Sequence, residues 1–267
     1  MSRLCTLLAA TTLGLSAPTA NALEPGKPLA VSGAGATHGT AHMLEDGDWE
    51  VGVWAALRRG LANQMELSIH PLVALQSPHL TLKKGWVYGG DWTISSQHGL
   101  HYPTPLLSTL ARPGIGGVLP ADNTVPHIVA SDNRVLASRS FGEPGEGMTL
   151  TASARVLLAA SFGESDWATI DMPITYARTA AYHNGAATAA GVQFDGGLVG
   201  TLDYRLALEG WFLPGADGNW AVEARGFLPW RVSDGFTAQV NATATAGAYP
   251  YGTNWHLLPG FDLIWAF

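Results

Sequence analysis

The final stretch, Gly260 to Phe267, alternates without a break. Phe261, Leu263, Trp265 and Phe267 are interleaved with Gly260, Asp262, Ile264 and Ala266. A strand sends successive side chains to opposite faces. Three aromatics and a leucine therefore share one face of a strand that finishes on phenylalanine. So apolar a face needs a hydrophobic partner along its whole length.

Upstream segments share this rhythm. From Asp48, Trp49, Val51, Val53, Ala55 and Leu57 oppose Glu50, Gly52, Trp54, Ala56 and Arg58. Met65, Leu67, Ile69, Val73 and Leu75 follow against Glu66, Ser68 and His70, with Pro71 removing a ladder donor. Leu80, Leu82, Trp86 and Tyr88 oppose His79, Thr81 and Lys83, but Lys84 interrupts this set and must lie at a rim or mark a register change. Later segments begin at Leu150, Ile170, Leu202, Trp220 and Phe236. Glycine- and aspartate-rich turns separate them, including Asp195-Gly-Gly197 and Ser233-Asp-Gly235. Strands of about 9–11 residues joined by short turns suit an up-and-down antiparallel sheet able to cross a bilayer.

Only 13% of residues are charged, and mean hydropathy is +0.12. Beyond the N-terminus, no stretch approaches the ~18 consecutive apolar residues of a spanning helix. The apolar content is instead dispersed through alternating segments. A net charge of −7 and the lack of a basic cluster argue against nucleic acid as a partner. Met1-Ser-Arg3, the apolar run Leu4–Leu15 and Ala20-Asn-Ala22 form a secretory signal peptide over residues 1–22. The only cysteine, Cys5, lies inside it, so disulfides are not expected after cleavage. Residues 23–47 read as a flexible lead-in, and 48–267 as the folded domain.

The Phe261–Phe267 end resembles the closing strand of bacterial outer-membrane β-barrels. Asp48–Leu75 resembles the opening hairpin of uncharacterised outer-membrane proteins of didermal bacteria. The resemblance implies an all-β, closed up-and-down transmembrane barrel of about twelve strands (range 10–14). It implies Gram-negative outer-membrane localisation, contact with membrane lipid and lipopolysaccharide, and recognition of Phe261, Leu263, Trp265 and Phe267 by the barrel-assembly machinery. A porin-like channel for small solutes or a structural outer-membrane role follows. A secreted or periplasmic β-sandwich that binds a ligand is the soluble alternative.

On the barrel reading, the polar phase faces a lumen. Its candidate lining is Glu50, Glu66, His70, Arg155, Asp171, Asp203, Arg205, Glu209, Glu223, Arg225 and Asp262, with Arg58 and Lys83 in the same phase. Paired across strands, these charges close the lumen; left apart, they line a narrow channel. Trp49, Trp92, Trp167, Trp211, Trp220 and Trp230 fall near segment ends, as expected of aromatic girdles.

Glu66, Ser68 and His70 offer the residue types of acyl transfer, which makes a barrel lipid hydrolase an alternative. Alternate residues of one strand stand ~7 Å apart, too far for a direct Ser–His hydrogen bond. Two histidine pairs, His38 with His42 and His98 with His101, have loop-like surroundings, and neither a metal nor a cofactor is expected. Residues 99–124 are proline- and glycine-rich. Counting strands back from Phe267 puts them at the short-turn end, as an extra strand at Leu106–Ala111 or an inward plug.

Overall fold

The computed structural model describes residues 33–87, 92–112, 124–142, 147–164, 176–215, 218–249 and 252–267. The expected signal peptide, residues 23–32 of the lead-in, Trp167, Asp171 and most of the strand expected from Ile170 lie outside the described residues.

Twelve antiparallel strands close into one up-and-down barrel. They are β1 (Trp49–Gly52), β2 (Leu57–Leu61), β3 (Met65–Ile69), β4 (His79–Val87), β5 (Trp92–His101), β6 (His127–Phe141), β7 (Met148–Phe162), β8 (Ala186–Val199), β9 (Leu202–Phe212), β10 (Trp220–Ser233), β11 (Phe236–Tyr249) and β12 (Gly252–Ala266). Helices α1 (Pro71–Ala74), α2 (Thr104–Leu110) and α3 (Tyr176–Asn184) lie in the connections after β3, β5 and β7. The soluble sandwich alternative is corrected here, because the strands form a single closed ring rather than two stacked sheets.

β12 closes on β1 through Glu50↔Ala266, Val51↔Trp265 and Gly52↔Ile264. Phe267 adds the last rung, exchanging backbone hydrogen bonds with Trp49 at 2.8 and 2.9 Å. Phe261 and Trp265 point outward and are exposed, while Asp262 and Ile264 are buried inside. The later strands keep one phase throughout: Leu206, Leu208, Val222, Leu228 and Val240 are exposed outside, and Arg205, Glu209, Glu223 and Gln239 are buried within.

Three sequence expectations are corrected. Trp49 to Leu57 is not one strand: the chain reverses between Gly52 and Leu57, and the Trp54 N–H donates to Asp262 Oδ1 at 2.9 Å. Of residues 99–124, those at 113–123 lie outside the described residues, and the chain that follows β5 does not leave at the end bearing Phe267. Seven strands, β6 to β12, separate this connection from Phe267, and an odd number puts it at the far end. There Leu106–Ala111 belongs to a helical turn rather than a strand. Pro105 suits the first turn of α2, and Leu107 and Ala111, four apart, bury one face against Ile128. Lys84 points outward near the opposite rim, where its Nζ donates to the Asn63 carbonyl of the β2–β3 turn.

The wall is uneven. β1, β2 and β3 have four, five and five residues, whereas β12 has fifteen. Among the described residues, β12 from Thr253 to Phe261 pairs with β11 alone. The wall therefore has a notch on the far side of β1–β3, between the upper part of β12 and β4.

Candidate functional site in the barrel interior

The interior holds two clusters of charge. The first lies in the half nearer Phe267 and grips residues 33–46. The flexible lead-in expected over 23–47 is corrected for its described part, because Ala34, Ala36, Thr40, Ala41 and His42 are buried inside the ring. Successive turns shape the segment, with Ala36 N–H donating to Gly33 O and His38 N–H to Gly35 O, both at 3.1 Å. Gly39 has φ +74°, and a Cβ there would fall 2.2 Å from Gln193 Oε1. Only glycine meets both conditions without displacing that side chain.

Glu50 organises this plug. One carboxylate oxygen accepts from Gly35 N–H at 2.6 Å; the other accepts from Arg58 Nη1 at 2.8 Å and meets His38 Nε2. Arg58 also donates to Glu66 through Nε at 2.8 Å and Nη2 at 2.7 Å, and to Thr37 Oγ1 at 2.8 Å. Glu66 accepts from Leu44 N–H at 3.2 Å. Lys83 Nζ donates to the His42 carbonyl. From the other wall, Ser138 Oγ accepts from Ala41 N–H at 2.7 Å, and Gln193 Nε2 donates to His38 O at 3.0 Å. Arg205 donates to Asp195 at 2.5 Å and to Gly35 O at 2.9 Å. The plug is thus held by side chains from many strands, mostly through its backbone.

Burial holds His38 below the usual histidine range; Arg58 and Arg205 add to this, and Glu50 opposes it. Burial, with Lys83 beside it, brings His42 down to about 4. His42 Nε2 has no hydrogen-bond partner. Both imidazoles are accordingly neutral near pH 7.

The second cluster lies toward the other mouth. Arg155 forks onto Asp132, with Nε donating at 2.7 Å. Arg178 donates to Glu223 at 2.6 Å, and Arg225 to Glu209 at 2.8 Å. Arg134 donates to Ser153 Oγ at 2.8 Å and stands 3.6 Å from Glu209. Asp132, Arg134, Arg155, Arg178, Glu223 and Arg225 border a cavity of about 460 Å³. Arg178 is carried by α3, whose Ala177, Ala180 and Ala181 pack on Leu157, Ala187, Trp211 and Leu213 at the far mouth.

The expected lining residues divide as follows. Glu50, Glu66 and Arg205 bind the plug, and Arg155, Glu209, Glu223 and Arg225 form the second cluster. Asp203 is buried on the inward phase, and Asp262 accepts from the β1–β2 turn. His70 is corrected: β3 ends at Ile69, and His70 caps α1, its Nδ1 accepting from Val73 N–H at 3.3 Å. His70 thus lies outside the strand that carries Ser68, and Glu66 is held by Arg58. Trp211 is also corrected. It faces inward, is 3% exposed and lies under the guanidinium groups of Arg155 and Arg178. Its parity with Arg205 and Glu209 carried that signal. Trp92, Trp220 and Trp230 are exposed on the outer wall, and Trp49 lies under Arg59 at the Phe267 rim.

His98 and His101, three apart on β5, face opposite sides: His98 binds Ser96 and Asn133, and His101 stacks on His79. Among the described residues no group of three or more metal-ligating side chains converges. Sequence reading missed Asp132, Arg134, Ser138, Arg178, Gln193 and Asp195. The first three share one phase of β6, but that strand carries polar residues on both faces and shows no clean alternation.

No family model and no curated protein matches this chain. Among solved structures, it is similar to a chain from work on the in-meso crystallization of membrane proteins, at 12% identity over 83% of each chain and a TM-score of 0.30. It is also similar to the ferric yersiniabactin uptake receptor FyuA from Yersinia pestis, at 9% identity over 84% of this chain and 44% of that one, with a TM-score of 0.25.

Proposed function

We propose that this protein is an outer-membrane β-barrel of a didermal bacterium, plugged along its axis at rest, and a channel for small solutes only when residues 33–46 shift. The outer wall supports the membrane reading. Leu206, Val240 and Leu257 are 54%, 57% and 60% exposed, among many large apolar side chains exposed on the outward phase of the strands, and an ordinary soluble monomer rarely exposes so many together. Lipid would cover them, while the closed ring satisfies the backbone. The Phe267 end would face the periplasm, and the longer connections with α2 and α3 would face outward, toward lipopolysaccharide. Export through the signal peptide and delivery by the assembly machinery complete the proposal.

The single observation behind the gated reading is the chemistry of the plug's attachment. Gly35, Ala41, His42 and Leu44 are held through backbone groups by Glu50, Ser138, Lys83 and Glu66. Water can replace such bonds at a modest net cost, about 1 kcal/mol for the Ser138 bond and about 1.5–3 kcal/mol for each bond to a charged partner. A plug sealed by apolar packing would lack that route. Planar-bilayer recording tests this. The folded wild type should show long closed periods, and Glu50→Gln should raise open probability. Steady large conductance in the wild type would contradict the plug. Silence in both proteins would leave the structural role and remove the channel.

A further inference from the structure

The second charge cluster is more than a set of internal ion pairs. Four arginines, 134, 155, 178 and 225, face three carboxylates, Asp132, Glu209 and Glu223, across it. Among the described residues, one positive charge is therefore in excess locally. Arg134 Nε and Arg225 Nε are buried without a hydrogen-bond partner, as are Glu209 Oε1 and Glu223 Oε1. Arg134 and Arg225 nevertheless line the cavity and keep 21% and 27% of their side-chain surface open, so an anion there would accept charge-assisted hydrogen bonds from the exposed part of both guanidinium groups. The cavity of about 460 Å³ has room for a phosphate or carboxylate group with water.

The cavity reaches β12 beside the notch. Leu258 lines it, and Leu258 belongs to the stretch of β12 that lacks a partner from β1 among the described residues. Although on the inward phase, Leu258 is 47% exposed. Trp255, Leu257 and Phe261 continue the apolar surface along the same edge, and Trp54 in the β1–β2 turn lies exposed at the foot of the notch. Helix α1 sits at the end of β3, with Leu72 and Leu75 exposed on that rim. A path lined by arginine at its inner end and by hydrocarbon at its outer end matches a molecule with the same two ends.

We infer that the notch between β12 and β4 is a lateral doorway, and that the arginine chamber binds the anionic head of a single-chain or lipid amphiphile whose tail lies through the doorway toward the bilayer. This rests on the membrane reading above but not on movement of the plug. The tail would lie against Leu258, and the head would accept from Arg134 and Arg225. Lipid would enter from the side, where the wall is low, and not past residues 33–46.

The test uses the full-length folded protein in an uncharged maltoside detergent, titrated with dodecyl phosphate and with inorganic phosphate and followed by native mass spectrometry. Saturable dodecyl phosphate binding, at least about tenfold tighter than inorganic phosphate, is expected. Arg134→Gln should weaken it about tenfold, and Leu258→Arg, placed in the doorway, should reduce tail-dependent preference. If Arg134→Gln fails to fold, Arg225→Gln supplies the same comparison, with heat-modifiable gel migration as the folding check. Equal binding of the two phosphates would overturn the doorway. No saturable binding by folded wild type would overturn the site. If the protein instead stays monodisperse without surfactant, the membrane reading fails first, and that outcome is visible before any titration.

Discussion

Trp49 and Phe267 exchange both of their backbone hydrogen bonds, at 2.8 and 2.9 Å, and so make the final rung of the ring. The side chain of Phe267 is exposed outside, so its backbone closes the barrel while its ring remains available to another surface. Deleting Phe267 should remove that rung and reduce the heat-modifiable folded fraction recovered from outer membranes severalfold. Phe267→Ala keeps the rung, so a comparable loss in that variant would locate the effect in assembly rather than closure. Wild-type recovery from both variants would contradict any role for this residue.

Arg58 bridges Glu50 and Glu66 while buried at the base of the plug. Arg58→Ala leaves two carboxylates without their cation and should cost about 3–5 kcal/mol in urea unfolding from lipid vesicles. The neighbouring Arg59 is exposed over Trp49, and Arg59→Ala should stay within about 0.5 kcal/mol. Equal effects would mean that the Glu50–Arg58–Glu66 chain does not hold the base of the barrel.

Acid should loosen the plug. His42 titrates at about 4 when folded and near 6.5 when unfolded, so the unfolded state binds more protons between these values. The neutral imidazole's contribution is therefore full above about pH 6.5 and is lost as pH falls toward 4, amounting to roughly 3 kcal/mol. His38 is shifted in the same direction. Measured against wild type, His42→Gln should flatten the pH 4–6.5 portion of the stability profile. An unchanged slope would show that His42 takes up its proton without penalty.

Trp211 packs inside against α3 and beneath two arginines, whereas Trp230 lies on the outer wall. Trp211→Ala should destabilise the barrel by about 3–5 kcal/mol, with a smaller loss for Trp230→Ala. Acrylamide and brominated lipid separate the two by a second route: lipid bromine should quench Trp230 and spare Trp211. The reverse order would place these side chains on the wrong faces.

The later strands were legible because one phase is apolar and the other charged. Leu206 and Leu208 against Arg205 and Glu209 show this in β9. The opening was less legible. Val53, Trp54 and Ala55 continue the alternation through a chain reversal whose hydrogen bond to Asp262 is contributed from the far end of the sequence. β6 was hidden by polar Ser131 and Asn133 on its outer face, satisfied locally with Ser96 and His98. The plug left no periodic trace: its glycines and alanines are short because they lie among side chains from distant strands, a tertiary constraint with no local pattern. Trp211 has the position near a strand end that suits a girdle, but its parity with Arg205 and Glu209 turns it inward, and parity decides which face a residue joins.

Spin labels on the outer wall test the central proposal most directly. Single cysteines at Leu206 and Val240 outside, and at Thr243 inside, would be labelled in the protein reconstituted into bilayers, and collision with oxygen and a water-soluble nickel complex measured. Strong oxygen contact and little nickel contact are expected at Leu206 and Val240, with the opposite bias at Thr243. Nickel access at Leu206 and Val240 equal to that at Thr243 would show that the apolar wall does not touch lipid, and the membrane reading would fall.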